Sequence, residues 1–207
     1  MCKTTLGDTM PKIKRIHFYH IPRTGGHSVY KFYPRIRKFG IQMPNNGHTP
    51  YQDYNIPSFI FLRNPAMHSF SSYHYIREHK THKLHNEMLR KSFTQILREG
   101  QPLDRFCGFL GRGAKTPKER LERAKRNIDK ITFVGFTERF DEDMNIFLRD
   151  ILGVPLRYNR AVVNSSNVYK KKLRPSPTDI KLLKELRADD YELVRYVMKK
   201  RNVRIPL

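Results

Sequence analysis

Acidic residues are scarce in this chain. Of 207 residues, 41 are Lys or Arg and only 19 are Asp or Glu, giving a formal net charge of +22. Such a balance points to an anionic partner: nucleic acid, a membrane surface, an acidic glycan or a phosphorylated nucleotide. Charge alone does not choose among them. Cysteine is nearly absent. Cys2 and Cys107 supply neither a disulfide framework nor a zinc ribbon. No run of about 18 apolar residues exists, so no segment reads as a membrane-spanning helix. The opening MCKTTLGDTMPKIKR lacks the apolar stretch of a signal peptide. Together these absences lead to the expectation of a soluble, cytoplasmic protein. Repeats and low-complexity linkers are missing too. What remains is 38% hydrophobic and 12% aromatic, enough to bury a core. The expectation is one domain over 1–207, with 1–13 as a flexible leading segment.

Short apolar runs alternate with helical patterns. Ile16 to His20 reads as a strand, followed by the turn residues Pro22 to Gly26 and an apolar-spaced stretch over Val29, Tyr30, Phe32, Tyr33 and Ile36. Pro34 is expected to end or kink that helix. Residues 40–57 read as loop. Ser58 to Leu62 is a nearly continuous apolar run, as expected of a strand buried on both faces. Arg63-Asn64-Pro65 ends it, and a helix is predicted over Ser69 to Arg77. Residues 78–130 read as basic helices interrupted around Gly108 to Pro117. Ile131 to Gly135 is a third buried strand, and a helix with one apolar face follows from Phe140 to Leu152, stopped by Gly153 and Pro155. One last helix carries Ile180, Leu183, Leu186, Tyr191, Val194 and Val197. The pattern predicts a three-layer α/β domain around a mainly parallel sheet.

The junction from Ile16 to Ser28 joins a strand, a Gly-Gly turn and a helix start. Glycine lets the backbone approach an anion, and the exposed N–H groups of the helix start favour negative charge. Arg23 adds a cation, and Thr24 and Ser28 add hydroxyls. The Gly-Lys-Ser/Thr of a Walker A loop is absent, which argues against a phosphate-loop kinase. On these residues alone, an anion cradle and an ordinary strand–turn–helix junction are equally good readings.

His20-Ile21-Pro22-Arg23-Thr24-Gly25-Gly26-His27-Ser28 resembles the first nucleotide signature of the carbohydrate-type sulfotransferases, usually His-Ile-Pro-Lys-Thr-Gly-Gly-Thr-Ser. Arg23 stands for the usual Lys and His27 for the usual Thr. Phe61-Leu62-Arg63-Asn64-Pro65 with Ser71-Ser72-Tyr73 resembles the same family's 3′-phosphate signature. His68 stands where that family has a second Arg, which makes the contact a candidate for pH sensitivity. Phe133 to Phe140 is similar to a late strand–helix junction of the family. Asn164-Ser165-Ser166 and the basic residues after it are similar to its C-terminal closing loop.

The resemblance implies a three-layer, P-loop-like sulfotransferase fold. It also implies an enzyme that moves a sulfuryl group from PAPS (3′-phosphoadenosine-5′-phosphosulfate) to a hydroxyl of a carbohydrate or glycan, leaving PAP, the 3′,5′-bisphosphate. Arg23, Thr24, Gly25, Gly26, His27 and Ser28 would hold the 5′-phosphosulfate, and Arg63 and Ser71 the 3′-phosphate. Asn164, Lys170 and Lys171 would close over the nucleotide. Arg23 would also steady the transferring group. His48, in a Gly-His segment between the two signatures, would take the acceptor's proton, with His20 and His27 as rivals. In a eukaryotic relative the setting would be the Golgi lumen behind an anchor removed from this chain.

No metal is expected. His74, His79, His82 and His85 have helical spacing but no acidic or cysteine partner completing a ligand set. Two alternatives stay open: a basic nucleic-acid-binding protein, although no recognised nucleic-acid motif is present, and a degenerate protein that binds PAP or PAPS without turnover.

Overall fold

The computed structural model describes residues 13–44, 47–100, 103, 105–159 and 174–207. The first twelve residues, and with them most of the expected flexible leading segment, lie outside these. Ile13 already packs against the core.

Three parallel strands form the sheet: β1 (His17–Tyr19), β2 (Ser58–Leu62) and β3 (Phe133–Phe136), in the order β1-β2-β3. Phe18 stands beside Phe59, and Phe61 beside Gly135. Every residue of the three strands is buried. That is why each reads as an unbroken apolar run rather than an alternating one. Successive side chains point to opposite faces. Phe18, Phe59, Phe61 and Phe133 join one core cluster, and Tyr19, Ile60, Leu62, Val134 and Phe136 join another.

Helices cover both faces. Against the first lie α1 (Gly26–Arg37), through Val29, Phe32 and Ile36, and α7 (Phe140–Ile146), which runs into a wider π turn at Phe147–Ile151. Against the second lie α5 (Phe106–Leu110), α6 (Pro117–Asp129) and α9 (Ala188–Arg201). A third cluster gathers α2 (Pro65–Glu78), α3 (His85–Arg90), α4 (Phe93–Arg98) and α8 (Pro177–Leu186). The protein is therefore α/β, with a small parallel sheet flanked by helices. Among the described residues, no helix is long and apolar enough to cross a membrane.

Several expected boundaries move. Pro34 does not end α1, which continues to Arg37. Helix α2 begins at Pro65 rather than Ser69, because Asn64 caps it, its Oδ1 accepting from the N–H groups of Ala66 and Met67. Proline is favoured at a first helical position, where no N–H is needed. Gly108 lies inside α5 rather than in a turn. The last helix is two: Arg187 has φ −124° and ends α8, and α9 starts on the next residue.

Candidate functional site

In a parallel sheet all strands end on the same edge, and ligands of open α/β sheets bind outside that edge. Here the edge gathers the segments after Tyr19, Leu62 and Phe136, which carry all three motif blocks.

The first block turns tightly. Arg23 takes φ +64° and Gly25 φ +91°, with Thr24 fully buried between them. The Thr24 hydroxyl donates to the Ile21 carbonyl at 2.7 Å and closes the turn. Gly25 caps α1 without any side-chain cap, and its carbonyl accepts from the N–H groups of Ser28 and Val29. The N–H groups of Gly26 and His27 precede the first of these bonds, and a helix start of this kind is suited to an anion. Both glycines are required on steric grounds as well. A Cβ at Gly25 would lie 2.6 Å from Phe140 Cε2, and one at Gly26 would lie 1.9 Å from His20 Nε2. His27 is exposed and Ser28 half-buried on the first turn of α1.

The second block locks onto the first. Arg63 is only 2% exposed. Its Nη1 donates to the Arg23 carbonyl at 3.1 Å. His68, on α2, donates from Nε2 to the Pro22 carbonyl at 2.8 Å. Arg23 reaches back, its Nε donating to Ser71 Oγ at 3.2 Å while its guanidinium lies 4.7 Å above the Tyr75 ring. Ser71 and Tyr75 are four apart on α2 and so share one face.

The third block completes the frame. Glu138 Oε1 accepts from the Asn64 N–H at 2.9 Å, and the Thr137 hydroxyl donates to the Leu62 carbonyl at 3.0 Å. Asn64 also donates from Nδ2 to the Pro206 carbonyl at 2.7 Å, so the C-terminal segment braces the start of α2.

The electrostatics correct one expectation. His68 is buried, and desolvation outweighs its bond to Pro22, with Arg63, Arg187 and Arg23 also opposing a charge on it. Its imidazole is pushed down to about 3. His68 is therefore a neutral strut near neutral pH, not a pH-sensitive ligand contact. The same three guanidiniums give this corner a positive field, which suits a dianion.

Two of the candidate histidines meet. The rings of His20 and His48 are 4.6 Å apart and cross at 61°. His48 is exposed on a loop. That loop is tied down by the Tyr19 hydroxyl, which donates to the Gln52 carbonyl, and by the packing of Tyr51 and Tyr54 against Tyr19. Burial, then His48 and Arg23, push His20 down to about 4. A base that weak is a poor proton acceptor at neutral pH. His48 and His27 are both exposed, His48 on its loop and His27 on the first turn of α1.

Asn164, Lys170 and Lys171 lie outside the described residues, as does Lys172. Sequence reasoning held Glu138 only as part of the third block, and missed Tyr75, Arg187 and Pro206. Only Tyr75 left a signal, its i+4 spacing from Ser71.

The histidines after α2 do not converge. His79 Nδ1 bonds the Tyr75 carbonyl, His85 Nδ1 bonds the Ile76 carbonyl, and His82 Nδ1 accepts from the Leu84 N–H. Elsewhere Cys107, Asp189 and Asp190 lie close enough to share an ion. Their bonds are internal: Asp190 Oδ1 accepts from the Cys107 N–H at 2.8 Å, and Arg105 pairs with Asp189.

Set against known proteins, the chain matches no family model and no curated sequence.

Proposed function

We propose that the protein is a PAPS-dependent sulfotransferase acting on a hydroxyl of a carbohydrate or glycan, built on a P-loop-like sulfotransferase fold. One observation carries this reading. The two segments that resemble the nucleotide signatures, about forty residues apart in sequence, are bonded to each other through Arg63 and Arg23 at the strand-end edge of the parallel sheet. The loops after neighbouring parallel strands share an edge in any such sheet; what supports the reading is that the motif side chains themselves make the contacts, Arg63 to the Arg23 carbonyl and Arg23 to Ser71.

The chemistry follows by analogy with phosphoryl transfer. The start of α1 would hold the 5′-phosphosulfate of the anionic donor and the charge that grows on the leaving phosphate. The acceptor oxygen would attack sulfur in line while the bond from sulfur to the phosphate oxygen breaks. His48 would take the acceptor's proton, and PAP would leave carrying the phosphate oxygen. Thr24 supports the turn from behind, since its hydroxyl is already committed to Ile21. The strong positive charge suits an anionic nucleotide and an acidic acceptor alike.

The test is calorimetric titration with PAP and, in parallel, ADP at moderate salt, followed by transfer of labelled sulfate from PAPS to a panel of glycans. Tight PAP binding, weak ADP binding and label on a glycan are expected. Equal, weak, salt-sensitive binding of both nucleotides would overturn the reading and favour nonspecific polyanion binding. Selective PAP binding without transfer to any acceptor would favour the degenerate binder.

A further inference from the structure

We propose that Arg23 is the side chain that recognises the 3′-phosphate, and that Arg63, Ser71 and Tyr75 are positioning residues that aim it. This rests on the sulfotransferase reading and changes the division of labour that the resemblance implies.

The argument starts from burial. Arg63 is 2% exposed and Ser71 fully buried. Neither is placed to be the group a ligand meets first. Both bond to Arg23 instead. Arg63 Nη1 holds the Arg23 carbonyl, and Ser71 Oγ accepts from Arg23 Nε. Arg23 itself is half-buried.

The backbone explains the direction. Arg23 has φ +64°, a left-handed conformation that residues with a Cβ seldom take. The bond from Arg63 fixes the carbonyl of this strained residue. The side chain then runs toward α2 and lies over Tyr75 with 4.7 Å between guanidinium carbon and ring centroid. The Tyr75 ring and the bond from Nε to Ser71 Oγ hold the guanidinium at two points, and its fork is what recognition of a phosphate needs. A lysine offers no planar fork and no Nε–H to bond Ser71 while its other donors stay available. Arginine at this position therefore has a physical reason, although the family that the loop resembles has lysine. Arg187 and Arg63 strengthen the field at this corner, where both oppose a charge on His68.

The experiment compares affinities for PAP and adenosine 5′-monophosphate, which differ only in the 3′-phosphate. The readout is the ratio of the two dissociation constants across a salt series, because PAP carries about two more negative charges and the nonspecific part of its preference fades with salt. Wild type is expected to prefer PAP. In Arg23→Ala that preference falls about 10- to 100-fold, as for lost hydrogen bonds to a charged group, with adenosine 5′-monophosphate binding little changed. Arg23→Lys restores part of it. Tyr75→Phe keeps it and Tyr75→Ala lowers it. Arg63→Lys and Ser71→Ala lower it when Arg23 is present and add nothing in the Arg23→Ala background. Melting curves check that each variant is folded.

If Arg23→Ala weakens both ligands by the same factor, Arg23 serves the 5′ end and the proposal is wrong. If Arg23→Ala keeps the preference and Arg63→Lys loses it, Arg63 is the reader and the proposal is equally wrong. A wild-type ratio near one would instead sink the sulfotransferase reading itself, and this inference with it.

Discussion

Arg63 donates to the backbone carbonyl of Arg23 across 40 positions of sequence, at 3.1 Å. The contact ties the end of β2 to the turn after β1. It sets a buried guanidinium against a carbonyl held in a left-handed turn. His68 repeats the device one residue earlier, on Pro22. The loop is thus gripped by its backbone, leaving the first N–H groups of α1 and the side chain of Arg23 to define the edge of the site.

Gly26 cannot take a side chain while His20 holds its place. Gly26→Ala should lower stability by about 1–3 kcal/mol, the usual cost of overpacking, because the new Cβ would meet the His20 ring. His20→Ala in the same chain should recover part of the loss. Denaturant midpoints of the single and double variants give the coupling, and additive losses would show that the clash is relieved in some other way.

His48→Ala should lower turnover about 100- to 10,000-fold with PAP affinity nearly unchanged, because a base acts on the acceptor rather than on the nucleotide. Steady-state kinetics beside calorimetry separates the two. His20→Ala should cost less turnover, since its imidazole is held at about 4. Full activity in His48→Ala would move the base to another residue.

His68 makes stability depend on pH. Its pKa falls from the ordinary 6.5 to about 3 on folding, so below 6.5 the unfolded chain binds a proton that the folded chain refuses. Stability is therefore lost as pH falls. At pH 5 the loss from this group is about 2 kcal/mol relative to pH 7.5. Asp190 is pushed up to about 6 by burial and by Asp189. It acts in the opposite sense below that value, so the comparison must be with a variant rather than with a flat line. His68→Gln should start less stable at pH 7.5 and lose less on acidification. Parallel curves for the two proteins would remove His68 from this role.

Asp143 anchors the third strand end. It is fully buried, accepts from the Phe136 N–H at 2.7 Å, and meets Arg201 of α9 through two bonds of 2.9 and 3.0 Å. Asp143→Ala leaves Arg201 without this carboxylate, at a cost of about 3–5 kcal/mol. The edge that carries Thr137 and Glu138 should loosen with it. Chemical denaturation measures the first effect, and weaker PAP binding in the folded fraction measures the second.

The strands were legible because burial on both faces leaves a plain signature: Ser58–Leu62 was read with its observed limits, and the other two within about two residues. Helix limits were less legible where a local rule was overridden or passed over. Pro34 is accommodated inside α1. Asn64-Pro65 is a cap followed by a first-turn proline, a signal hidden by the apolar spacing that begins later. The motif residues Arg23, Thr24, Arg63, Ser71 and His48 could be chosen from sequence. What they touch could not, because Arg23 and Ser71 are 48 positions apart and Asn64 and Pro206 are 142 apart.

The sequence by itself determined the α/β alternation, the three apolar strand runs, the glycines of the first turn and the large positive charge. These are local properties, fixed by side-chain volume, period and ionisation. Only the tertiary structure decided that Arg63 and His68 are buried struts, that Arg23 turns toward Tyr75, and that His48 rests against His20. Those outcomes depend on which strand ends share an edge and on how much water is removed from each group. Parallel pairing and desolvation arise from the packing of segments far apart in the chain, and no window of residues contains them.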